Sequence, residues 1–101
     1  MGQSSKTPTY DLDEIKREAL EGNLYITNTA TIDASYFDMC NDDIVEIVTL
    51  LSYSDFYKSM KSDKNPLLWQ DVYHYKVDED FILYIKLQMR GKAVVVSFKE
   101  K

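Results

Sequence analysis

Apolar and polar residues alternate along the segment 81–90, which reads FILYIKLQMR. One set of alternating positions is entirely apolar: Phe81, Leu83, Ile85, Leu87 and Met89. The other set includes a phenol, two cations and an amide: Ile82, Tyr84, Lys86, Gln88 and Arg90. Successive side chains of a β-strand point to opposite faces. The segment is therefore predicted to be a strand with one face in a core and the other equipped for chemistry.

Two further strands are predicted beside this one. Residues 67–77 are rich in aromatic and β-branched side chains and are predicted to form the strand before it. The acidic residues 78–80 are predicted to form the turn between the two strands. Gly91 and Lys92 make the next turn, and residues 93–99 form the strand after it. Three consecutive strands joined by short turns predict an antiparallel meander.

The N-terminal half has helical periodicity instead. Three apolar residues of the segment 9–21 fall at i, i+3 and i+7: Leu12, Ile15 and Ala19. This spacing predicts a surface helix. Residues 24–27 are short and apolar and could be extended. A second short helix is predicted to begin with Asn28 or Thr29 as its cap and to run through residues 34–37.

A third helix has the widest apolar face of the chain: Ile44, Val45, Ile47, Val48, Leu50 and Leu51. Asn41 is its predicted cap, and the breadth of the face predicts that the helix is largely buried as the floor of the core. Ser54 then opens a short helical turn over residues 55–60. This turn is expected to present Lys58 and Lys61 together.

These elements predict an α+β domain in which helices pack on one face of a small antiparallel sheet, a three-stranded meander in the C-terminal half. The 101 residues, of which 45% are apolar, suit a single core. We therefore expect one domain over residues 9–101 and a frayed tail over residues 1–8. No apolar run approaches the length of about 20 residues that a membrane span needs, and the N-terminus lacks the apolar stretch of a secretory signal. A cytoplasmic protein is expected.

Charge is divided unevenly along the chain, whose net charge is -5. Residues 1–53 carry three basic and ten acidic residues, whereas residues 54–101 carry nine basic and seven acidic ones. The basic residues thus concentrate around the central strand. One interpretation is a solvated acidic helical layer beside a mildly basic sheet. The other is a local site for an anion on a chain that negative charge otherwise keeps soluble.

Cysteine and histidine are too few for several kinds of site. The single cysteine, Cys40, cannot form an internal disulfide and is expected to be a small core residue. Without a Cys and His cluster there is no zinc framework, and no Gly-rich loop suggests a nucleotide cradle. No cofactor is expected. The single histidine, His74, excludes a pair of catalytic histidines and is interpreted as an ordinary strand residue.

If the strands pair in sequence order, Gln70 and Lys99 join Tyr84 and Lys86 on one face, and Lys58 can lean over it. This set of cations, a phenol and an amide is sufficient for cleaving RNA. The 2'-hydroxyl is itself the nucleophile, so a protein needs only to align the backbone, move protons and stabilise charge on the phosphate. A lysine can act as the base where burial or neighbouring cations lower its pKa. Each lysine could equally be an ordinary solvated side chain.

Three peptides then resemble one family. DFYKSM at residues 55–60, WQDVY at residues 69–73 and VSFKEK at residues 96–101 look like the MqsR toxins, and the resemblance runs from about Asp38 to residue 101. It implies a RelE-like fold and an mRNA interferase that cleaves single-stranded mRNA at a short GC-containing triplet, without ribosome or metal. It also implies 2',3'-cyclic phosphate and 5'-hydroxyl ends, and a zinc-binding, helix-turn-helix antitoxin of the MqsA type as partner.

The resemblance also assigns site residues. Four match the family's functional positions and are expected to be catalytic: Lys58, Gln70, Tyr84 and Lys99. Four more are expected to support substrate binding: Met60, Lys61, Lys86 and Arg90. Lys58 and Lys99 would neutralise phosphate charge or move protons, Tyr84 would act as general acid or base, and Gln70 would orient the backbone or a base edge. Two alternatives stay open, a non-catalytic module that still binds antitoxin or RNA, and a purely structural adaptor.

Overall fold

The computed structural model describes residues 4–101. It contains three helices: α1 (Leu12–Leu20), α2 (Asn28–Ser35) and α3 (Asn41–Leu50). Its six strands are β1 (Ser4–Ser5), β2 (Tyr25–Ile26), β3 (Phe56–Lys61), β4 (Trp69–Asp78), β5 (Phe81–Met89) and β6 (Ala93–Glu100). The predicted tail of residues 1–8 therefore includes strand β1, and its first three residues lie outside the described part. None of the helices described has the length and apolar character that crossing a membrane requires.

All six strands form one mixed sheet in the order β1-β3-β4-β5-β6-β2. Strands β3 to β6 are antiparallel neighbours in sequence order, while β2 runs parallel to β6. The prediction of a three-stranded antiparallel sheet was thus wrong in size and in type. The three predicted strands are present, but β1 and β2 have only two residues each, too few to show a pattern in sequence.

The helices cover one face of this sheet, as the α+β prediction required. From the helices, Leu12, Ile15, Ala30, Ala34, Ile44 and Val48 are buried in the core. From the sheet, Tyr73, Leu83, Ile85, Leu87, Val95 and Phe98 meet them. The odd-numbered residues of β5 therefore point into the core, which confirms the alternation predicted for residues 81–90. The opposite face of the sheet, here called the open face, has no helix over it among the described residues.

The predicted helical turn at residues 55–60 was wrong. A single 3-10 turn, Tyr53–Asp55, leads directly into strand β3. A β-bulge interrupts the pairing of β3 with β4, because Phe56 is opposite Tyr73 whereas Lys58 is opposite Val72. Tyr57 is the extra residue. The bulge places Phe56 against the core, edge-on to Tyr73 at 5.5 Å between ring centroids, and leaves both Tyr57 and Lys58 for the open face.

Two predicted helix caps and the predicted burial of Cys40 also need correction. Thr27, rather than Asn28 or Thr29, caps α2, since its hydroxyl accepts from the Ala30 N–H at 3.1 Å. Helix α3 starts at Asn41, one residue before predicted, because the carboxylate of Asp43 accepts from the Cys40 N–H at 2.8 Å. This places Cys40 at the exposed entrance of the helix and outside the core.

Two buried or half-buried carboxylates fasten distant segments to the sheet. Asp71 on the core face of β4 accepts from the Thr9 N–H at 3.0 Å and from the Tyr10 N–H at 2.9 Å. The chain is thereby held just before α1. Asp33 of α2 accepts from the Phe98 N–H at 3.0 Å, on the edge of β6 that β2 leaves unpaired. These bonds satisfy backbone groups that a short edge strand cannot reach.

Candidate functional site

The open face brings together the four predicted catalytic residues. One row of opposed residues crosses four strands: Lys58, Val72, Lys86 and Ser97. On one side lies a second row of three, His74, Tyr84 and Lys99. On the other side Met60 is opposite Gln70, whose amide donates to the Gln88 side-chain oxygen at 2.9 Å. The sheet register thus places Lys86 at the centre of the predicted set.

A pocket of about 330 Å³ opens on the second row, and it is here called the cationic pocket. Its lining residues are Tyr57, His74, Tyr84, Lys86, Lys99, Glu100 and Lys101. Three of these are lysines and three carry aromatic rings, so the pocket combines positive charge with flat apolar surfaces. Such a combination suits a ligand that has both an anionic group and a planar ring.

A second pocket, of about 220 Å³, lies on the other side of Lys86 and is here called the polar pocket. It is lined by Thr29, Ser62, Asp63, Lys64, Gln70, Lys86, Val96 and Ser97. Its hydroxyl, amide and carboxylate groups can donate to and accept from the edge of a base. Because Lys86 lines both pockets, a chain of nucleotides could occupy both while its phosphate passes over this one lysine.

Lys86 is electrostatically different from an ordinary surface lysine. Burial lowers the pKa of its ammonium, and the neighbouring charges of Lys99 and Lys58 lower that pKa further. Asp63, in the polar pocket, acts in the opposite direction. Lysine can accept a proton only in its neutral form, so these surroundings favour Lys86 as a base. The sequence had suggested a lysine activated by its neighbours but had placed Lys86 among the supporting residues.

Tyr84 is held in its protonated form. Burial and the nearby phenol of Tyr57 raise the pKa of the Tyr84 hydroxyl. Its hydroxyl points toward the Met60 sulfur at 4.0 Å, the long distance that is typical of a weak sulfur acceptor. A phenol that keeps its proton can donate it to a leaving oxygen or hydrogen-bond a phosphate. The raised pKa therefore favours the acid half of the acid or base role expected for Tyr84.

His74 and Tyr57 are site residues that the sequence analysis did not select. The two rings stack at 4.2 Å between centroids with an interplanar angle of 21°. The centroid of Tyr84 lies 5.8 Å from that of His74 on the next strand. The sequence could have placed His74 in the site, because His74 follows Gln70 by four positions on one strand and alternate residues of a strand share a face. Tyr57 could not be placed in this way, because the β-bulge breaks the alternation of faces along β3.

Two predicted supporting residues are not part of this arrangement. Lys61 is opposite Trp69, on the face that Lys58 does not share, and its ammonium lies 5.7 Å from the indole ring. Residues three apart share one side of a helical turn but lie on opposite faces of a strand. Arg90 follows the end of β5 and is exposed. Neither residue lines the two pockets described.

Comparisons with known proteins cover almost the whole chain. Residues 7–100 match the family model described as motility quorum-sensing regulator, toxin of MqsA. The chain is also 32% identical over 96 residues to the mRNA interferase toxin MqsR of Escherichia coli strain K12. That alignment covers 95% of this chain and 97% of the E. coli protein. Both matches are long enough to include the core as well as the open face.

Proposed function

We propose that this chain, which belongs to the MqsR toxin family, is a cytoplasmic endoribonuclease toxin that cleaves single-stranded mRNA without the ribosome and without a metal ion. The observation that carries this proposal is the position of Lys86, a half-buried lysine between two other cations and beside a protonated phenol. A base, an acid and two positive charges are the groups needed to transfer the phosphoryl group from the 5'-oxygen to the 2'-oxygen.

The proposed reaction assigns one step to each group. Neutral Lys86 takes the proton of the 2'-hydroxyl, whose oxygen attacks the adjacent phosphorus. The bond from phosphorus to the 5'-oxygen breaks, and Tyr84 supplies the proton to that leaving oxygen. Lys58 and Lys99 offset the negative charge that grows on the phosphate oxygens. The products are a 2',3'-cyclic phosphate and a 5'-hydroxyl, and solvent then restores the proton to Tyr84 and removes that of Lys86.

The polar pocket would supply sequence preference in this scheme. Gln70 is only 7% exposed and its amide is already oriented by Gln88, so its remaining hydrogen-bonding capacity points in a fixed direction. Asp63 adds a carboxylate, which accepts well from the exocyclic amino group of cytosine. These groups support a preference for a short GC-containing triplet. We also propose the RelE-like architecture for the fold, on the basis of the helices on one face and the cationic sheet on the other.

The decisive experiment uses the purified protein and a mixed single-stranded RNA, with ribosomes absent and divalent metal chelated. We expect cuts clustered at one short sequence, with cyclic phosphate at the 3' ends and hydroxyl at the 5' ends. The double variant Lys58→Ala, Tyr84→Phe should leave the RNA intact although it folds normally. If the folded wild-type protein binds RNA but never cuts it, the chain is a binding module instead.

We further propose a protein partner, a zinc-binding, helix-turn-helix antitoxin of the MqsA type that inhibits this chain. Tyr84→Phe removes one hydroxyl from the open face and leaves the ring in place, so the affinity for that antitoxin should be unchanged. Titration calorimetry with the variant and the wild type measures this directly. A large loss of affinity would mean that the antitoxin lies on the Tyr84 hydroxyl itself.

A further inference from the structure

Three aromatic side chains form a continuous row along the cationic pocket: Tyr57, His74 and Tyr84, here called the aromatic row. The first two rings stack at 4.2 Å, and the third lies 5.8 Å from the middle one. All three belong to the open face, on different strands, and none is among the buried residues of the core. Packing of the hydrophobic core therefore does not account for their alignment.

The first ring of the row remains accessible. Tyr57 is 52% exposed, and a tyrosine so exposed on a β-bulge could turn its ring into solvent. Instead its ring covers His74, with the Lys58 ammonium 5.4 Å from the ring centroid. The phenol thus lies on the wall of a pocket that also contains Lys86 and Lys99.

The middle ring is an apolar surface rather than a charge. Burial, followed by the positive charges of Lys101 and Lys58, lowers the pKa of His74, so the ring is neutral near pH 7. Its Nε2 is buried and has no hydrogen-bond partner within the described residues. A neutral imidazole under a phenol backs the Tyr57 ring with an uncharged flat surface, and the exposed side of that phenol is left for a ligand. Such rings are the usual partners of unpaired bases in single-stranded RNA.

We infer that the aromatic row is a nucleobase-binding site, which stacks the base of one nucleotide next to the phosphate that lies beside Lys86 and Lys99. This inference rests on the proposed function for the identity of the ligand as RNA, and it adds a subsite to it. The cationic pocket, at about 330 Å³, lies in the size range of small-molecule sites and is large enough for one base with its phosphate at the rim. The polar pocket would then receive the neighbouring nucleotide.

A short oligonucleotide whose attacking nucleotide is 2'-deoxy tests the site, because it can bind but not be cut. A fluorescent 2-aminopurine is placed at each position in turn on either side of the phosphate. At one of these positions the wild-type protein should quench the fluorescence, since stacking on an aromatic ring does so. Tyr57→Leu should abolish that quench and weaken binding about 5- to 150-fold, the range for loss of one stacked base.

Two controls separate stacking from other effects. Tyr57→Phe keeps the ring and should restore the quench and most of the affinity lost in Tyr57→Leu. An abasic nucleotide at the quenched position should bind wild type and Tyr57→Leu equally, because no base remains to stack. Thermal unfolding of all three proteins checks that the exposed position does not alter the fold.

The results distinguish failure of this inference from failure of the proposed function. If wild type cuts RNA but shows no quench at any position and Tyr57→Leu binds as tightly, the aromatic row is not a base site, while the nuclease proposal stands. If wild type stacks the probe but cuts no RNA, the base site stands and the catalytic proposal falls. If the oligonucleotide does not bind and wild type cuts no RNA, both proposals fall.

Discussion

The two faces of the central sheet use the same strands for opposite purposes. Toward the helices, Tyr73 and Phe98 are completely buried and hold the core together. Their immediate neighbours in sequence, His74 and Lys99, point the other way into the cationic pocket. A position that stabilises the fold is thus followed at once by a position that serves the site. Along each strand, therefore, one set of alternating positions stabilises the fold and the other set forms the candidate site. Single substitutions can test this division.

The largest effect is expected on the core face. Phe98→Ala should lower the free energy of unfolding by about 3–5 kcal/mol, because it removes a large buried ring and leaves a cavity that the sheet cannot close. Denaturant titration followed by circular dichroism measures the change. A loss below about 1 kcal/mol, the level of a typical surface substitution or little more, would show that Phe98 does not anchor the core.

Asp71 is a buried charged residue on that same, otherwise largely apolar, face. Its carboxylate accepts from the N–H groups of Thr9 and Tyr10, so Asp71→Ala should leave both donors without this partner in a part-buried place. The expected cost is about 3 kcal/mol of unfolding free energy. Asp71→Asn retains one accepting oxygen and should lie between wild type and Asp71→Ala. Equal stability of the two variants would rule out this account of Asp71.

Lys99→Ala is the matched experiment on the open face, one residue from Phe98. Cleavage of RNA should slow by about 10² or more, as for the loss of one charge-stabilising donor, while the thermal midpoint stays nearly unchanged. Single-turnover kinetics with an excess of enzyme gives the rate of the chemical step. An unchanged rate would remove Lys99 from the mechanism, and a lowered thermal midpoint would break the separation between the two faces.

The smallest effect is a shift in pH dependence. If neutral Lys86 is the base, the cleavage rate rises with pH as the ammonium loses its proton. Lys99 lowers the pKa of Lys86 and Asp63 raises it, so Lys99→Gln should move the rising limb to higher pH and Asp63→Asn to lower pH. Rate profiles of wild type and both variants measure the two shifts. Movement in the same direction would show that the limb reports another group.

Sequence predicts the parts of this molecule in which the pattern is long and regular. The alternation over residues 81–90 correctly identified both faces of β5, and the three peptides correctly indicated the family. Strand β3 was missed because the bulge at Tyr57 interrupts its alternation, so that Tyr57 and Lys58 in succession reach one face. The same error grouped Lys61 with Lys58. The assignments of Lys58, Gln70, Tyr84 and Lys99 to catalysis remain predictions, although the sheet gathers all four on one face.

Two features of the site could not be predicted from the local sequence pattern. The pKa of Lys86 depends on Lys58, Asp63 and Lys99, which come from three separate segments. The stack of Tyr57 on His74 depends on the register between β3 and β4. Pairing register and burial are properties of the assembled sheet, so spacing along the chain does not reveal them.

The position of β6 determines when this domain can form during its synthesis. β6 is the last described element to leave the ribosome, yet it lies between β5 and β2 and brings Phe98 to the centre of the core. Strand β2 and helix α2 emerge much earlier, before the strand against which both of them pack. We therefore expect the part of the core that β6 closes to stay open in the nascent chain until β6 has been translated. A product that stops before β6 has neither a closed core nor Lys99.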